Sequence, residues 1–234
     1  MIDEINRGNI SKIFGELITL IEIDKREGGD QKISATLAYS GHSFSVPSNV
    51  DIIGAMNTAD RSLALVDTAL RRRFEFIPIM PDTSKEGPLK NAQVNKDNKE
   101  IDVRTMLEKI NQRIEALYDK DHTIGHAYFT SLTEPFESDE KRFQALKSIF
   151  RNRIIPLLEE YFFEDWQKIQ LVLGDNQKNR ENRDLQFVQD ISKKDDLALF
   201  GEGHNLDLEA IQQRFQLNEA AFDNPEAYRL IYTP

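Results

Sequence analysis

The sequence contains no cysteine and only four histidines among its 234 residues. Without thiols there is no disulfide framework, no thiolate metal site and no cysteine nucleophile. The histidines stand at positions 42, 122, 126 and 204, without a His-x-x-x-His spacing, so a zinc site is not expected. No stretch approaches the ~18 consecutive apolar residues of a membrane helix. The first residues lack the basic-then-apolar layout of a signal peptide, and a cytoplasmic location is expected.

The chain also has fewer positively than negatively charged residues. The chain has 30 Lys and Arg residues against 40 Asp and Glu residues, which gives a formal net charge of −10. Broad binding to a nucleic-acid backbone needs clustered Lys and Arg, so we do not expect it of this chain alone. The triplet Arg71, Arg72 and Arg73 is a local exception, and it suits either a DNA contact or a helix end in solvent.

Three regions of different composition follow one another along the chain. Residues 1–80 alternate helical and strand-like patterns, which predicts an α/β domain. Residues 81–102 are polar and read as a linker or a long surface loop. Residues 103–234 carry apolar stripes at helical spacing, which predicts a helical domain with a C-terminal extension.

The first region resolves into five elements. Apolar residues from Ile10 to Ile21 follow the spacing of one helix face. A hairpin is expected around residues 39–42, and a buried strand over residues 50–56. A helix over residues 62–72 and a strand over residues 74–80 complete the pattern.

In the helical region, we expect the notable glycine, histidine and tyrosine residues to have structural roles rather than to bind a ligand. Gly174 is expected to end a long helix that starts at Pro156. His126 is expected to pack or to cap, and residues 175–184 to form a solvated loop. Short helices are expected after Asp207 and after Asn224, the last of them docked by Tyr228 and Tyr232.

Residues suited to phosphoryl transfer occur in order along the first region. Asp3 and Glu4 follow a short apolar segment, where one carboxylate suits a Mg²⁺-bound water and the other suits activation of an attacking water. Asn57 follows the next predicted strand, and its amide suits positioning of that water or contact with a phosphate. The arginines at the end of the predicted helix suit phosphate contact, because a guanidinium stays charged and binds bidentately. The order supplies a metal holder, a water activator, a positioner and a cationic clamp.

Five segments resemble a known family, the AAA+ ATPases, and within it the McrB branch of GTP-hydrolysing motors in modified-cytosine-dependent restriction. Residues 2–9 (Ile-Asp-Glu-Ile-Asn-Arg-Gly-Asn) resemble the Walker B segment. Residues 56–62 (Met-Asn-Thr-Ala-Asp-Arg-Ser) are similar to the specific signature of the McrB branch. Residues 69–74 resemble the arginine-finger helix, and residues 124–129 and 155–162 resemble lid segments. The resemblance covers about residues 1–175, and implies a partial AAA+ core followed by an α-helical lid.

The resemblance also implies roles for single residues. By it, Asp3 holds the Mg²⁺ water, Glu4 is the catalytic base and Asn57 is the sensor that positions water. Asp60 belongs to the nucleotide-handling signature. The arginines implied at the interface with a neighbouring subunit's nucleotide are Arg72 and Arg73, with Arg7 and Arg61 contributing there.

For the whole machine, the resemblance implies Mg²⁺, GTP with ATP as the alternative, a ring that is hexameric in the full-length parent, and an McrC-like endonuclease partner. DNA containing 5-methylcytosine is then reached through the complex, whose translocation along DNA triggers cleavage.

One element of the family pattern is missing from the sequence. There is no Gly-x-x-x-x-Gly-Lys-Ser/Thr, so the chain has no phosphate-cradling loop and no lysine for the β- and γ-phosphates. We therefore expect no nucleotide turnover by the chain alone. In the implied sheet order, the absent strand leaves unpaired backbone on both sides, so we expect a poor monomer or altered strand pairing, with the helical region the better folded. Two alternatives remain: a non-enzymatic truncated or split subunit that assembles with intact partners, and an AAA+ chaperone of the MoxR kind that uses ATP.

Overall fold

The computed structural model describes residues 1–8, 10–57, 71–178, 180–192 and 213–233. These residues divide into two compact units, Met1–Ile79 and Met80–Pro234. Within the described ranges, no helix is both long enough and apolar enough to cross a membrane. The predicted helix after Asp207 and most of the one over residues 62–72 lie outside the described residues.

The first unit is built from short elements. Helix α1 spans Ile10–Phe14 and strands β1 (Ala35–Thr36) and β2 (Ser43–Phe44) form an antiparallel pair. Turns of 3₁₀-helix cover Ile5–Arg7, Gly15–Ile18 and Ile23–Lys25. The hairpin prediction is confirmed, and Gly41 supplies the positive φ of +67° that its turn requires.

Three sequence expectations for this unit differ from the structure. The helix predicted from Ile10 ends as an α-helix at Phe14, because Gly15 takes a φ of +50° and the chain tightens to 3₁₀ geometry. The buried strand over residues 50–56 is reduced to one bridge at Gly54, and Ile53 is 62% exposed. Residues 74–79 form no strand in the described part of the unit, and Ile77 is 75% exposed. An apolar run pairs as a strand only where a neighbouring strand is available, and Pro78 removes one of its donors.

The second unit contains most of the buried apolar residues of the described chain. Strands β3 (Gln93–Lys96) and β4 (Lys99–Asp102) form a hairpin whose turn residues, Asp97 and Asn98, both have positive φ. The facing pair Val94 and Ile101 is fully buried. The prediction of a linker or surface loop over residues 81–102 is therefore wrong for its second half, because alternate residues there bury their side chains in the core.

Helices make up the rest of the second unit, together with a second strand pair. They are α2 (Val103–Leu117), α3 (Asp139–Ile149), α4 (Ile155–Tyr161), α5 (Trp166–Leu173), α6 (Glu219–Phe222) and α7 (Pro225–Arg229). Strands β5 (Val188–Asp190) and β6 (Phe215–Leu217) pair antiparallel. Shorter turns lie at His126–Tyr128, Thr130–Thr133, Phe150–Ile154 (a π-helix), Asp175–Gln177 and Arg180–Leu185.

The helix ends follow from local chemistry. Side-chain oxygens of Asp102, Ser138, Asp165 and Asn224 accept backbone N–H groups at the starts of α2, α3, α5 and α7. Gly174 ends α5 with a φ of +71°, as predicted. The helix expected to run on from Pro156 is interrupted, because Phe163 and Glu164 take positive φ between α4 and α5.

Predicted structural roles for three side chains are confirmed. His126 Nδ1 accepts the backbone N–H of Asp82 at 2.9 Å, which is a structural contact within the second unit. The hydroxyl of Tyr228 donates to the carbonyl oxygen of Phe222 at 3.0 Å, and the Tyr232 hydroxyl accepts the N–H of Asp102 at 3.0 Å. These bonds attach the C-terminal helix to the rest of the unit.

The predicted solvated loop over residues 175–184 instead begins with a buried ion pair. Asp175 is 0% exposed and Lys178 is 5% exposed, with 2.7 Å between Oδ1 and Nζ. The same carboxylate accepts the N–H groups of Phe187 and Val188, and the ammonium also donates to the Leu185 carbonyl oxygen. Burial raises the pKa of Asp175 and lowers the pKa of Lys178. The pair thus ties the start of this segment to β5.

We predict that Asp175→Asn lowers the free energy of unfolding by about 3–5 kcal/mol, because it leaves a buried ammonium without its carboxylate. Urea unfolding of the chain followed by far-ultraviolet circular dichroism measures this change. Glu137→Gln is the matched control, since it removes an exposed ion pair with Lys141 and is expected to cost less than about 1 kcal/mol. Equal effects of the two substitutions would contradict the role of the buried pair.

Candidate functional site

The opening residues run parallel to the segment that precedes Asn57. Ile2 and Gly54 form a parallel bridge, in which the N–H of Ile2 donates to Ile53 O at 2.8 Å and the N–H of Ala55 donates to Ile2 O at 2.9 Å. The N–H of Ile5 then donates to Ala55 O at 3.0 Å. Parallel segments leave their pairing at the same edge, so the residues that follow each one emerge side by side.

Glycine at position 54 permits this close approach. A Cβ atom at Gly54 would lie 2.9 Å from Cδ1 and 3.1 Å from Cγ2 of Ile5, which is closer than van der Waals contact. The missing side chain therefore makes room for Ile5 just after the two acidic residues.

Glu4 adopts a left-handed backbone conformation, with φ 49° and ψ 45°. For a residue with a Cβ atom this conformation costs roughly 1–2 kcal/mol, and such residues cluster at functional sites. Its N–H donates to Oδ1 of Asp3 at 3.1 Å, and its Oε2 lies 3.2 Å from Nε of Arg7. Oε2 is covered from solvent and has no partner with hydrogen-bond geometry. The turn thus attaches the Asp3 carboxylate to the Glu4 backbone and places Arg7 beside the Glu4 carboxylate.

Asn57 lies next to this turn through a contact that sequence reasoning missed. The side-chain amide of Asn6 donates to the carbonyl oxygen of Asn57 at 3.4 Å, while Asn6 Oδ1 is buried without a hydrogen-bond donor. Asn57 itself is exposed. The only sequence signal for Asn6 was its position two residues after Glu4. The structure shows that its amide contacts the predicted sensor, Asn57. Of the covered oxygens of Glu4 and Asn6, Glu4 Oε2 is ion-paired with Arg7, and Asn6 Oδ1 is the acceptor that lacks a donor.

Asp3 is the residue of this group that suits a metal. It is exposed, and one of its oxygens accepts the Glu4 N–H, which leaves the other for a ligand. Within the described ranges there is no cluster of three or more His, Asp or Glu side chains able to hold a metal ion by themselves. Mg²⁺ commonly binds through one or two carboxylates together with waters and substrate phosphates. Asp3 therefore fits a Mg²⁺ ion that arrives with a nucleotide.

The three consecutive arginines have different surroundings. Arg73 is ion-paired with Glu22, with 2.7 Å between Nη2 and Oε1, and its side chain is 4% exposed. Arg72 is exposed and, like Arg73, lines an open cleft of about 870 Å³ in the same unit, together with Glu22, Asp24 and Asp30. The guanidinium of Arg71 lies 5.8 Å from the centre of the Phe76 ring. Glu22 is a second residue that sequence reasoning missed, although it is the first acidic residue after the apolar stripe ending at Ile21.

Two of the predicted site residues, Asp60 and Arg61, lie outside the described residues. Of the others, the structure brings Asp3, Glu4 and Arg7 into one turn and places Asn57 beside it. Carboxylates and an amide at one edge can bind and polarise a water molecule. The exposed arginine can contact an anion.

Two family models match separate parts of the chain. Residues 1–74 match the AAA domain (dynein-related subfamily), which includes every predicted site residue. Residues 102–170 match the McrB alpha-helical lid domain.

Two curated proteins are similar to the chain. It is 44% identical over 191 residues to the Type IV methyl-directed restriction enzyme EcoKMcrB subunit of Escherichia coli (strain K12), which covers 75% of this chain and 40% of that protein. It is 26% identical over 176 residues to the Type II restriction enzyme BsuMI component YdiS of Bacillus subtilis (strain 168), which covers 70% of this chain and 48% of that protein. The chain thus spans less than half the length of these relatives. Taken with the fold, the matches identify the chain as an McrB-like AAA+ protein, in which an AAA segment precedes an α-helical lid.

Proposed function

We propose that the chain is the water-activating, lid-bearing part of an McrB-like GTPase that powers DNA translocation for modification-dependent restriction. The observation that carries this proposal is the parallel pairing of Ile2 with Gly54, since it sets Asp3 and Glu4 beside the segment that ends in Asn57. The names of both relatives describe restriction enzymes, which supports the same setting.

In this proposal the residues of the opening turn divide the work of hydrolysis. The Glu4 carboxylate accepts a proton from water as its oxygen attacks the γ-phosphorus, and the bond to the bridging oxygen breaks to release the nucleoside diphosphate. Asn57 orients that water, and the Asn6 amide holds the Asn57 backbone in place. Asp3 would hold a water bound to Mg²⁺, and the ion would supply positive charge beside the phosphates.

The proposed nucleotide, the roles of the other site residues and the partner are based on the similarity to McrB-like proteins. Guanine nucleotide is the proposed substrate, with ATP as the alternative. Asp60, Arg61 and Arg7 are proposed to contact nucleotide or the subunit interface, and Arg72 and Arg73 to serve the nucleotide of a neighbouring subunit. An McrC-like endonuclease is the proposed partner of the ring, and a cytoplasmic location fits this role. DNA is proposed to be engaged by the assembly, in keeping with the net charge of −10 on this chain.

The sequence has no phosphate-cradling loop, so a second candidate function is a non-enzymatic subunit that completes intact partners. The exposure of Arg72 in an open cleft favours this candidate, because an arginine can act on a nucleotide held by another chain. Both candidates share the proposal that this chain alone hydrolyses no nucleotide.

We predict that the chain alone releases no phosphate from GTP or ATP with Mg²⁺, and that hydrolysis requires a phosphate-loop half from an McrB-like protein. We call the combination of this chain and that half, supplied as a separate chain or joined ahead of Met1, the two-part assembly. In it, Glu4→Gln is expected to lower kcat about 10²- to 10⁴-fold with little change in KM, because proton acceptance is lost. Phosphate release measured across substrate concentrations separates the two constants.

Glu27→Gln is the control for this experiment, because Glu27 contacts Ser45 rather than the opening turn. Hydrolysis by the isolated chain that co-elutes with it in gel filtration and disappears in Glu4→Gln would contradict the need for a second half. A two-part assembly that binds GTP without hydrolysing it, and still stimulates an intact McrB-like motor, would favour the non-enzymatic candidate.

We predict a graded effect at the two asparagines. Asn57→Ala removes the side chain proposed to orient water and is expected to lower kcat of the two-part assembly about 100-fold. Asn6→Ala removes only the 3.4 Å support of the Asn57 backbone and is expected to lower it less, by about 3- to 10-fold. Kinetics of the single and double variants test this order. An Asn6→Ala loss that adds fully to that of Asn57→Ala would show that the two residues act separately.

A further inference from the structure

Arg72 and Arg73 are adjacent in sequence and both line the open cleft, but their side chains differ in exposure and in pairing. The side chain of Arg73 is 4% exposed, and its Nη2 lies 2.7 Å from Oε1 of Glu22. Arg72 is exposed and borders the open cleft. A guanidinium that reaches a phosphate on another molecule has to be accessible, and of these two side chains Arg72 meets that condition.

Glu22 is well placed to hold its partner because its own backbone is fixed. The two residues before it, Leu20 and Ile21, are 1% and 4% exposed. The N–H of Glu22 donates to Thr19 O at 3.3 Å, and Nε of Arg26 donates to Ile21 O at 2.9 Å. The carboxylate therefore projects from a backbone anchored by buried side chains and hydrogen bonds.

The pairing limits what Arg73 can do. With its side chain 4% exposed, Arg73 needs the charge of the Glu22 carboxylate, so moving Arg73 into solvent would break this ion pair. Holding one arginine inside also fixes the backbone from which its neighbour projects. The position of Arg72 therefore depends on the contact between Glu22 and Arg73.

We propose that Glu22 is a positioning residue that retains Arg73 inside the first unit and thereby presents Arg72 to the nucleoside triphosphate of a second copy. This inference rests on the proposed function, and it divides between two residues a role that the sequence alone assigned to both. Arg72 contacts the phosphates, while Glu22 and Arg73 act through it.

Chemical labelling of the full chain tests the pairing without any nucleotide. Phenylglyoxal modifies accessible guanidinium groups, and fragmentation mass spectrometry distinguishes the two neighbouring arginines. We expect Arg72 to react at least about tenfold faster than Arg73, because one side chain is exposed and the other is buried and paired. Glu22→Gln is expected to raise the rate at Arg73 about tenfold and leave the rate at Arg72 within about twofold.

Asp24→Asn is the matched control for labelling. Asp24 lines the same cleft as Glu22, but its carboxylate contacts Lys25 at 3.3 Å. This substitution is expected to leave the reaction rates of both arginines unchanged. Equal labelling of Arg72 and Arg73 in the unsubstituted chain would overturn the proposal, as would equal responses to Glu22→Gln and Asp24→Asn.

Hydrolysis by the two-part assembly then tests the positioning role. Arg72→Ala is expected to lower kcat about 10³-fold or more, the effect of losing an arginine supplied to a neighbour's nucleotide. Glu22→Gln is expected to lower kcat about 10- to 100-fold at unchanged KM, because Arg72 is misplaced rather than lost. Glu22→Asp, which retains the charge, is expected to recover most of that loss. If the loss came from a general packing defect, Glu22→Asp would not restore activity relative to Glu22→Gln.

The outcomes separate the two proposals. An assembly that hydrolyses GTP normally after Glu22→Gln, although labelling shows Arg73 released, would overturn the positioning role and leave the proposed function intact. An assembly without any hydrolysis would count against the proposed function, while labelling would still decide which arginine is presented.

Discussion

The candidate site depends on one backbone contact, the parallel bridge between Ile2 and Gly54. The bridge sets the register between the two segments, and a slip of one residue would turn every side chain to the opposite face. Gly54 contributes by leaving room for Ile5, and the chain then turns through Glu4 in a left-handed conformation. The side-chain positions at this edge are therefore consequences of backbone pairing.

The two units are held together internally in different ways. In the second unit, aromatic and aliphatic side chains from helices and both strand pairs form one buried cluster, in which Phe150, Phe187 and Tyr228 contact one another. In the described part of the first unit, fewer apolar side chains are buried, and the contacts are mainly backbone hydrogen bonds and ion pairs such as Arg73 with Glu22. The free energy gained by burying apolar surface is roughly proportional to the area buried, so the second unit gains more stability from its core.

The sequence correctly predicted elements that depend on residues close together in the chain, such as the first hairpin and α2. Gly41 marked the first hairpin, and the stripe beginning at Val103 marked α2, because turn glycines and helical spacing act over a few residues. The buried Asp175 was not predictable, since its partners include Val188, thirteen positions away, and a polar stretch ordinarily indicates solvent. At the site, the bridge places the turn with Asp3 and Glu4 beside the segment that ends in Asn57, whereas the contact from Asn6 was not predicted. The sequence also did not predict the different exposure of Arg72 and Arg73, because Arg73 pairs with Glu22, which is distant in sequence.

In the proposed mechanism, water activation and charge neutralisation place different demands on a protein and fall on different segments of the chain. A carboxylate that accepts a proton must lie beside the attacking water, so it needs a fixed backbone, and Glu4 lies in the turn that follows the bridge at Ile2. An arginine that neutralises developing charge has to approach the phosphate oxygens from outside the site that holds them. Arg72 is exposed, whereas the side chain of Arg73 is 4% exposed and paired with Glu22, so Arg72 is the more accessible of these two neighbours. If the carboxylate and the guanidinium of one chain serve different nucleotides, hydrolysis becomes possible only when neighbouring subunits are assembled, which couples turnover to the state of the ring.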